Sequence, residues 1–455
     1  MTLNHAAPPR EIAAAPSYLY RAVWRWHFYA GLLVLPFMIL LAVTGGLYLL
    51  KDELNAVFYK DYLSVTEQSS PVLPASTLVA NATEYLPGTV TAYIPAPSTT
   101  SSATVTIKTD AGKQRVYVNP YDGKVLGKLD DSGAGVTPFM LTIRKIHSLD
   151  YFGWIANRVI EIVAGWAMIL VVTGIYLWWP RGRNLGTFKI RSGAKRRPYW
   201  RDLHAVTGLY AGGFIFFLAL SGLPWSGFWG DKVNTYANEA GLGYPTGYWD
   251  NVPVSKVPMK DAMTQVNWTM ENAPMPESTP TGATAFGLDQ AVTIFDKLGI
   301  HKGYAIDLPQ SAEGVYTASV YPDDINFERI IHLDQYSGKV LFDAGFKELG
   351  IAGKAIEMGV SIHMGQQFGR LNQIALLAVC ASIVLMSVSA IVMWWQRRPK
   401  GSLGAPRYPR DYRVARGAVA ILALMGVLFP LTGLTILMAL VIDFMTPRDW
   451  VKSAA

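Results

Sequence analysis

Cysteine is nearly absent: one residue in 455, Cys380, and it lies inside an apolar run. An intramolecular disulfide, a four-cysteine iron–sulfur cluster and a cysteine-rich zinc site are therefore excluded. Charge is sparse as well, with 16% of residues charged against 51% hydrophobic. No Gly-x-Gly-x-x-Gly opens a helix after a strand, and there is no Walker A loop, so the chain brings no nucleotide-binding module of its own. Acidic residues are missing from most of the long apolar runs, which argues against an ion- or proton-conducting transporter. Glu161 and Asp443 are the exceptions, and Glu161 is expected to pair with Arg158 at i, i+3. A net charge of +7 does not signal nucleic acid. The positive residues cluster beside the apolar runs, where they have a topological meaning.

What the sequence does contain is long apolar stretches, each able to cross a bilayer core, which takes about 20 residues. Five spans are expected, at 27–50, 146–180, 204–225, 363–396 and 413–445, with a His-bearing lead-in to the second and fourth. No small-residue cleavage site follows the first run, so it reads as an uncleaved anchor. The tail 1–26 and the loops 181–203 and 397–412 are rich in Arg and Lys, which places them in the cytoplasm. Segments 51–145 and 226–362, with the tail 446–455, then lie on the opposite side. Both long segments read as soluble α+β domains. Ala103–Lys108 and Tyr316–Tyr321 alternate as strands do. Arg115–Leu126 and Arg329–Leu341 each read as a strand, a Gly-containing turn and a second strand.

Much of the chain is present twice. Trp24-Arg25-Trp26-His27 and Trp200-Arg201-Asp202-Leu203-His204 both stand at the mouth of an apolar run. Each is followed by a Gly (Gly31, Gly208) and later by a hydroxyl–Gly pair (Thr44-Gly45, Ser221-Gly222). Ile146-His147 leads through Phe152-Gly153 to Thr173-Gly174 and Trp178-Trp179. Ile362-His363 leads through Phe368-Gly369 to Ser389-Ala390 and Trp394-Trp395. Such internal periodicity marks a duplicated unit.

Four of the seven histidines thus occupy matched positions at span mouths, His27 and His204 towards one face, His147 and His363 towards the other. Neutral imidazoles facing each other across a helix bundle suit haem iron. Zinc would need three or four ligands together. Gly31, Gly208, Gly153 and Gly369 are candidates for letting a flat macrocycle approach the backbone. Arg25 and Arg201 are candidate partners for haem propionates. His301 and His332 have no repeat counterparts and read as ordinary domain residues.

The His-led helices, tandem Trp ends and paired Tyr-x-Gly-Lys-Val-Leu hairpins resemble the PepSY-associated transmembrane proteins of bacterial inner membranes, from about Tyr20 to Arg398. That family includes haem-containing ferrisiderophore reductases. The resemblance implies a helical membrane protein with two periplasmic PepSY-like domains and two b-type haems. His27 and His204 would hold the cytoplasmic-side haem, His147 and His363 the periplasmic-side haem. It implies electron transfer to a ferric siderophore or other periplasmic ferric chelate, with electrons from an external cytoplasmic reductase or quinol. The competing expectation is a non-redox accessory or sensor whose periplasmic domains bind a peptide or protease.

Overall fold

A computed structural model describes residues 18–131, 136–180, 188–191, 196–244, 252–280, 282, 284–399, 404 and 423–445. The N-terminal tail before 18, part of the loop 181–203, most of the loop 397–412, the start of the expected fifth span and the tail after 445 lie outside them. The chain divides into two compact units: 1–36 with 165–216 and 385–455, and 37–164 with 217–384.

Four helices are long and apolar enough to cross a membrane: α1 (Tyr18–Leu49), α6 (Trp154–Trp178), α7 (Arg196–Gly222) and α12 (Gly369–Arg397). The apolar stretches run 31, 25, 30 and 29 residues, against about 20 needed for the hydrocarbon core. The chain is a multi-pass membrane protein. Small and hydroxyl-bearing residues face inward along these helices, among them Ala30, Ala42, Thr44, Ala167, Ala211, Ser221 and Ser389. Large apolar residues such as Leu33, Tyr210 and Ile374 point out. That pattern suits helices that pack closely while lipid solvates the outer surface. Of the fifth expected span, the described residues include the apolar helix α13 (Pro430–Met445), sixteen residues long.

The second unit also carries the soluble elements. After α1 come the short α2 (Lys51–Phe58) and α3 (Lys60–Leu63), then α4 (Ala75–Tyr85) and strands β1 (Thr89–Ile94), β2 (Ala103–Thr109), β3 (Gly112–Val118) and β4 (Val125–Asp130). Helix α5 (Pro138–His147) leads into α6. After α7 come α8 (Trp229–Glu239), β5 (Val254–Pro258), α9 (Met259–Ala262) and β6 (Pro274–Pro276). Then α10 (Leu288–Lys297) precedes β7 (Ala305–Asp307), β8 (Val315–Val320), β9 (Arg329–Asp334) and β10 (Val340–Gly345), and α11 (Ile351–His363) leads into α12. The order helix, four strands, His-ended helix, long helix occurs twice.

The two expected outer domains are not separate. Eight of their strands form one antiparallel sheet, β10-β9-β8-β7-β1-β2-β3-β4, while β5 and β6 pair apart from it. The join is the pairing of β1 with β7, Ala92 opposite Asp307 and Tyr93 opposite Ile306. Helices α4 and α10 share one core on this sheet. Ala75, Leu78 and Ala82, and Leu288, Ala291 and Phe295, recur at helical spacing and bury against Val105, Ile107, Ile306 and Ile331. A second core lies with the second half of the sheet, where Met259, Met263 and Met270 meet Ile330 and Phe342. The two hairpins form as read, and Gly123 and Gly338 take the left-handed conformation their turns require, at φ +71° and +70°.

Candidate functional site

In the first unit, His27 on α1 reaches Thr173 on α6, its Nδ1 2.9 Å from the Thr Oγ1. His204 on α7 reaches α12, its Nδ1 3.1 Å from both the Met386 carbonyl and the Ser389 hydroxyl. The two imidazoles lie within electrostatic reach of each other. In the second unit, the His147 Nδ1 is 2.8 Å from Thr44 Oγ1, and the His363 Nδ1 is 2.9 Å from Ser221 Oγ. These two imidazoles are also within electrostatic reach. The structure therefore assembles the four sequence-selected histidines as two pairs, His27 with His204 and His147 with His363.

The hydroxyls fix which ring nitrogen carries the proton. Each donates its own hydrogen to a carbonyl of its own helix: Thr44 to Leu40 at 2.6 Å, Thr173 to Ile169 at 2.8 Å, Ser221 to Phe217 at 2.7 Å, Ser389 to Met386 at 2.8 Å. A hydroxyl used in this way can only accept from the imidazole. For His204 the Met386 carbonyl forces the same answer, because a carbonyl has nothing to donate. All four Nδ1 atoms thus carry hydrogen. All four Nε2 atoms are left with a lone pair, and none makes a hydrogen bond among the described residues. A second group that sets tautomer and ring angle is what a metal-ligating His needs.

The glycine after the hydroxyl makes room for the ring. A Cβ on Gly45, Gly174 or Gly222 would stand 3.5, 3.3 and 3.3 Å from the Cε1 of His147, His27 and His363. The fourth position is Ala390. The hydroxyl–Gly pairs were visible in the sequence as repeats, but not their place beside the imidazoles. The four glycines expected to let a macrocycle approach have other surroundings in the chain itself. A Cβ on Gly31 would meet Leu170, and one on Gly208 would meet Met386, so both are helix-packing positions. Gly153 and Gly369 precede or begin helices at φ +85° and +57°, with nothing within 4 Å of an added Cβ; they are turn residues.

The two arginines fare differently. Arg25 places its guanidinium 5.0 Å from the centre of the Tyr29 ring. Arg201 is engaged by Asp202, at 2.7 Å, and the same buried carboxylate takes Arg191, also at 2.7 Å. Glu161 does not pair with Arg158. Its Oε2 accepts the backbone N–H groups of Phe228 and Trp229 at 3.2 Å, neutralising the start of α8. Arg158 instead packs against Gly227.

Among the described residues no group of three or more His, Cys, Asp or Glu could hold a metal ion. A protein-only zinc site is thus absent there. Two neighbouring imidazoles, each with an Nε2 lone pair left over, are a donor set that fits a group bringing its remaining ligands with it, as haem does.

A family model for the PepSY-associated TM region matches residues 24–397. The chain belongs to that family. No curated protein matches the chain. The match to the PepSY-associated TM region covers all four paired histidines and their hydroxyl partners, and it ends before α13.

Proposed function

We propose that the protein is a di-haem oxidoreductase of a bacterial inner membrane, passing electrons across the bilayer to a periplasmic ferric chelate such as a ferric siderophore. The observation that carries this reading is the state of the four histidines. Each ring is oriented by a helix hydroxyl, and each keeps an Nε2 lone pair for iron. His27 and His204 would hold one b-type haem, His147 and His363 the other.

Haem supplies one-electron chemistry; the chain's residues bind, orient and tune it. Thr173, Ser389, Thr44 and Ser221 hold the imidazoles neutral and raise their donor strength by accepting Nδ1–H. Gly45, Gly174 and Gly222 let the rings sit close to the helix backbone. By the positive-inside rule the Arg- and Lys-rich tail and loops of the sequence are assigned to the cytoplasm, and segments 51–145 and 226–362 to the periplasm. With no nucleotide-binding motif in the sequence, the donor is external, a cytoplasmic reductase or a quinol. Reduction of the ferric ion weakens its hold on hard oxygen ligands, which releases iron from the chelate. Arg25 and Arg201 remain the candidate partners for the haem propionates, Arg201 with its guanidinium also paired to Asp202.

Protein purified from cells with ample haem should show a Soret band and dithionite-reducible α bands. His27→Ala and His363→Ala should each lose about half the haem. Full haem content in both variants would count against the assignment.

A further inference from the structure

Beside the second half of the sheet the chain buries two carboxylates without a cation. Glu328 is 6% exposed and Glu357, on α11, is 4% exposed. One short segment serves both. The Asn267 side-chain amide donates to Glu328 Oε1, and Thr269 gives Glu357 Oε1 its backbone N–H and its hydroxyl, both at 2.8 Å. The Tyr321 hydroxyl is buried, faces the Asn267 backbone and is close enough to feel both charges. Among the described residues no Lys or Arg forms an ion pair with either carboxylate. Arg329, next to Glu328, is held by Asp343 at 2.6 Å. The other charged groups facing the cluster are acidic, Glu271 towards Glu357 and Asp307 towards Tyr321, and Lys260 faces Glu271. Two bare negative charges at such depth do not persist; a proton is the counter-charge within reach. Burial, and then the Glu357 charge, push the Glu328 carboxyl well above its usual range. Burial pushes Glu357 to about 7, with Glu271 adding to the effect.

A cavity lies beside the cluster, and one of its walls touches His363. The cavity, of about 220 Å³, is walled by Trp225, Asp231, Lys260, Trp268, Glu271 and Asn272. Glu271 lines that cavity, and its charge reaches Glu357. Trp225, also lining the cavity, stands edge-on to the His363 ring with centroids 6.4 Å apart. Helix α11 runs from Glu357 to His363 in six residues, about 9 Å of rise. An electron at the outer pair and a proton at Glu357 are therefore close enough to stabilise one another through a water-poor interior.

We propose that Glu328 and Glu357 form a proton-uptake site that fills from the cavity through Glu271 and is coupled to the electron occupancy of the His147/His363 pair. A haem held by His147 and His363 would supply a one-electron centre fed by the external donor, and for each electron it held the pair would bind one proton at a carboxylate oxygen. When the electron leaves for the acceptor, the same proton returns to the cavity water. Only an O–H bond forms and breaks. The proton site stands on the buried pair itself; its coupling rests on the haem reading above.

The test uses the full chain in detergent, with Glu357→Gln, Glu328→Gln and Glu271→Gln. Infrared spectra of haem-free protein should contain a carboxylic-acid C=O band that titrates near neutral pH and is lost or shifted in both E357Q and E328Q. A wild-type spectrum with no such band overturns the proton site. In haem-loaded protein the outer midpoint potential should fall as pH rises through neutrality, and that slope should vanish in E357Q. E271Q should keep the slope but take up the proton several-fold more slowly. A wild-type potential independent of pH overturns the coupling while the infrared band stands. A colourless protein with the band intact overturns the electron reading, and the coupling with it.

Discussion

Tautomer is decided at the level of single atoms. Thr44, Thr173, Ser221 and Ser389 each have one hydrogen, already given to a helix carbonyl, so each imidazole must donate through Nδ1. Removing the acceptor while keeping the shape isolates this effect. Thr44→Val should weaken haem retention at the His147/His363 site about 10- to 100-fold, the usual cost of losing a group behind a metal ligand. Haem per chain after competition with apomyoglobin measures it, and Thr44→Ser should restore wild-type retention. Gly222→Leu should be harsher, because its side chain would begin 3.3 Å from the His363 Cε1 and displace the ring. The histidines were legible in the sequence because their pairing is written in matched offsets. The hydroxyl–Gly pairs were visible too, but their role was not, because it depends on which helix faces which. The Glu161–Arg158 pairing failed for a similar reason. Local spacing allowed it, yet the unpaired N–H groups at the start of α8 offered the carboxylate a better partner.

Elements succeed or fail by packing. Helix α13 meets α6 where Gly165 faces Thr432 with no room for a Cβ, and the Trp166 Nε1 donates to Thr435 at 2.9 Å. Gly165→Leu should loosen that contact at a cost of about 1–3 kcal/mol, the range for overpacking. A lower melting temperature and faster proteolysis within 430–445 would register it. Helix α11 carries a pH dependence. The Glu357 carboxyl is raised to about 7 by burial, against an ordinary value of 4.5. The unfolded chain therefore loses this proton first. The stability it contributes is complete below about 4.5, declines as pH rises, and is gone above about 7. Urea unfolding of Glu357→Gln should lack that decline between these two pH values. An unchanged slope would place the titrating group elsewhere. His332, buried in β9 and held neutral with its pKa lowered to about 3, works in the opposite sense: its contribution is lost as pH falls below 6.5.

For the whole molecule, the sequence was most informative where length and hydropathy decide the outcome, and least where distant segments choose partners. Four long apolar helices were readable from composition alone, since a bilayer sets their length. Strands β2 and β8 and both hairpins were readable from alternation and turn glycines. The single sheet was not. Which edge β1 adopts is set by β7, more than 200 residues away, and nothing local in Thr89–Ile94 distinguishes a free edge from a joined one. That join makes one sheet of the strands that precede the two histidine-ended helices α5 and α11. The measurement that bears most directly on the haem assignment is haem content by pyridine haemochrome, taken with reduced-minus-oxidised absorption spectra on the purified full chain. Two b-type haems per chain are expected, falling to one in either His27→Ala or His363→Ala. A well-folded protein that emerges colourless from haem-replete cells would contradict the assignment.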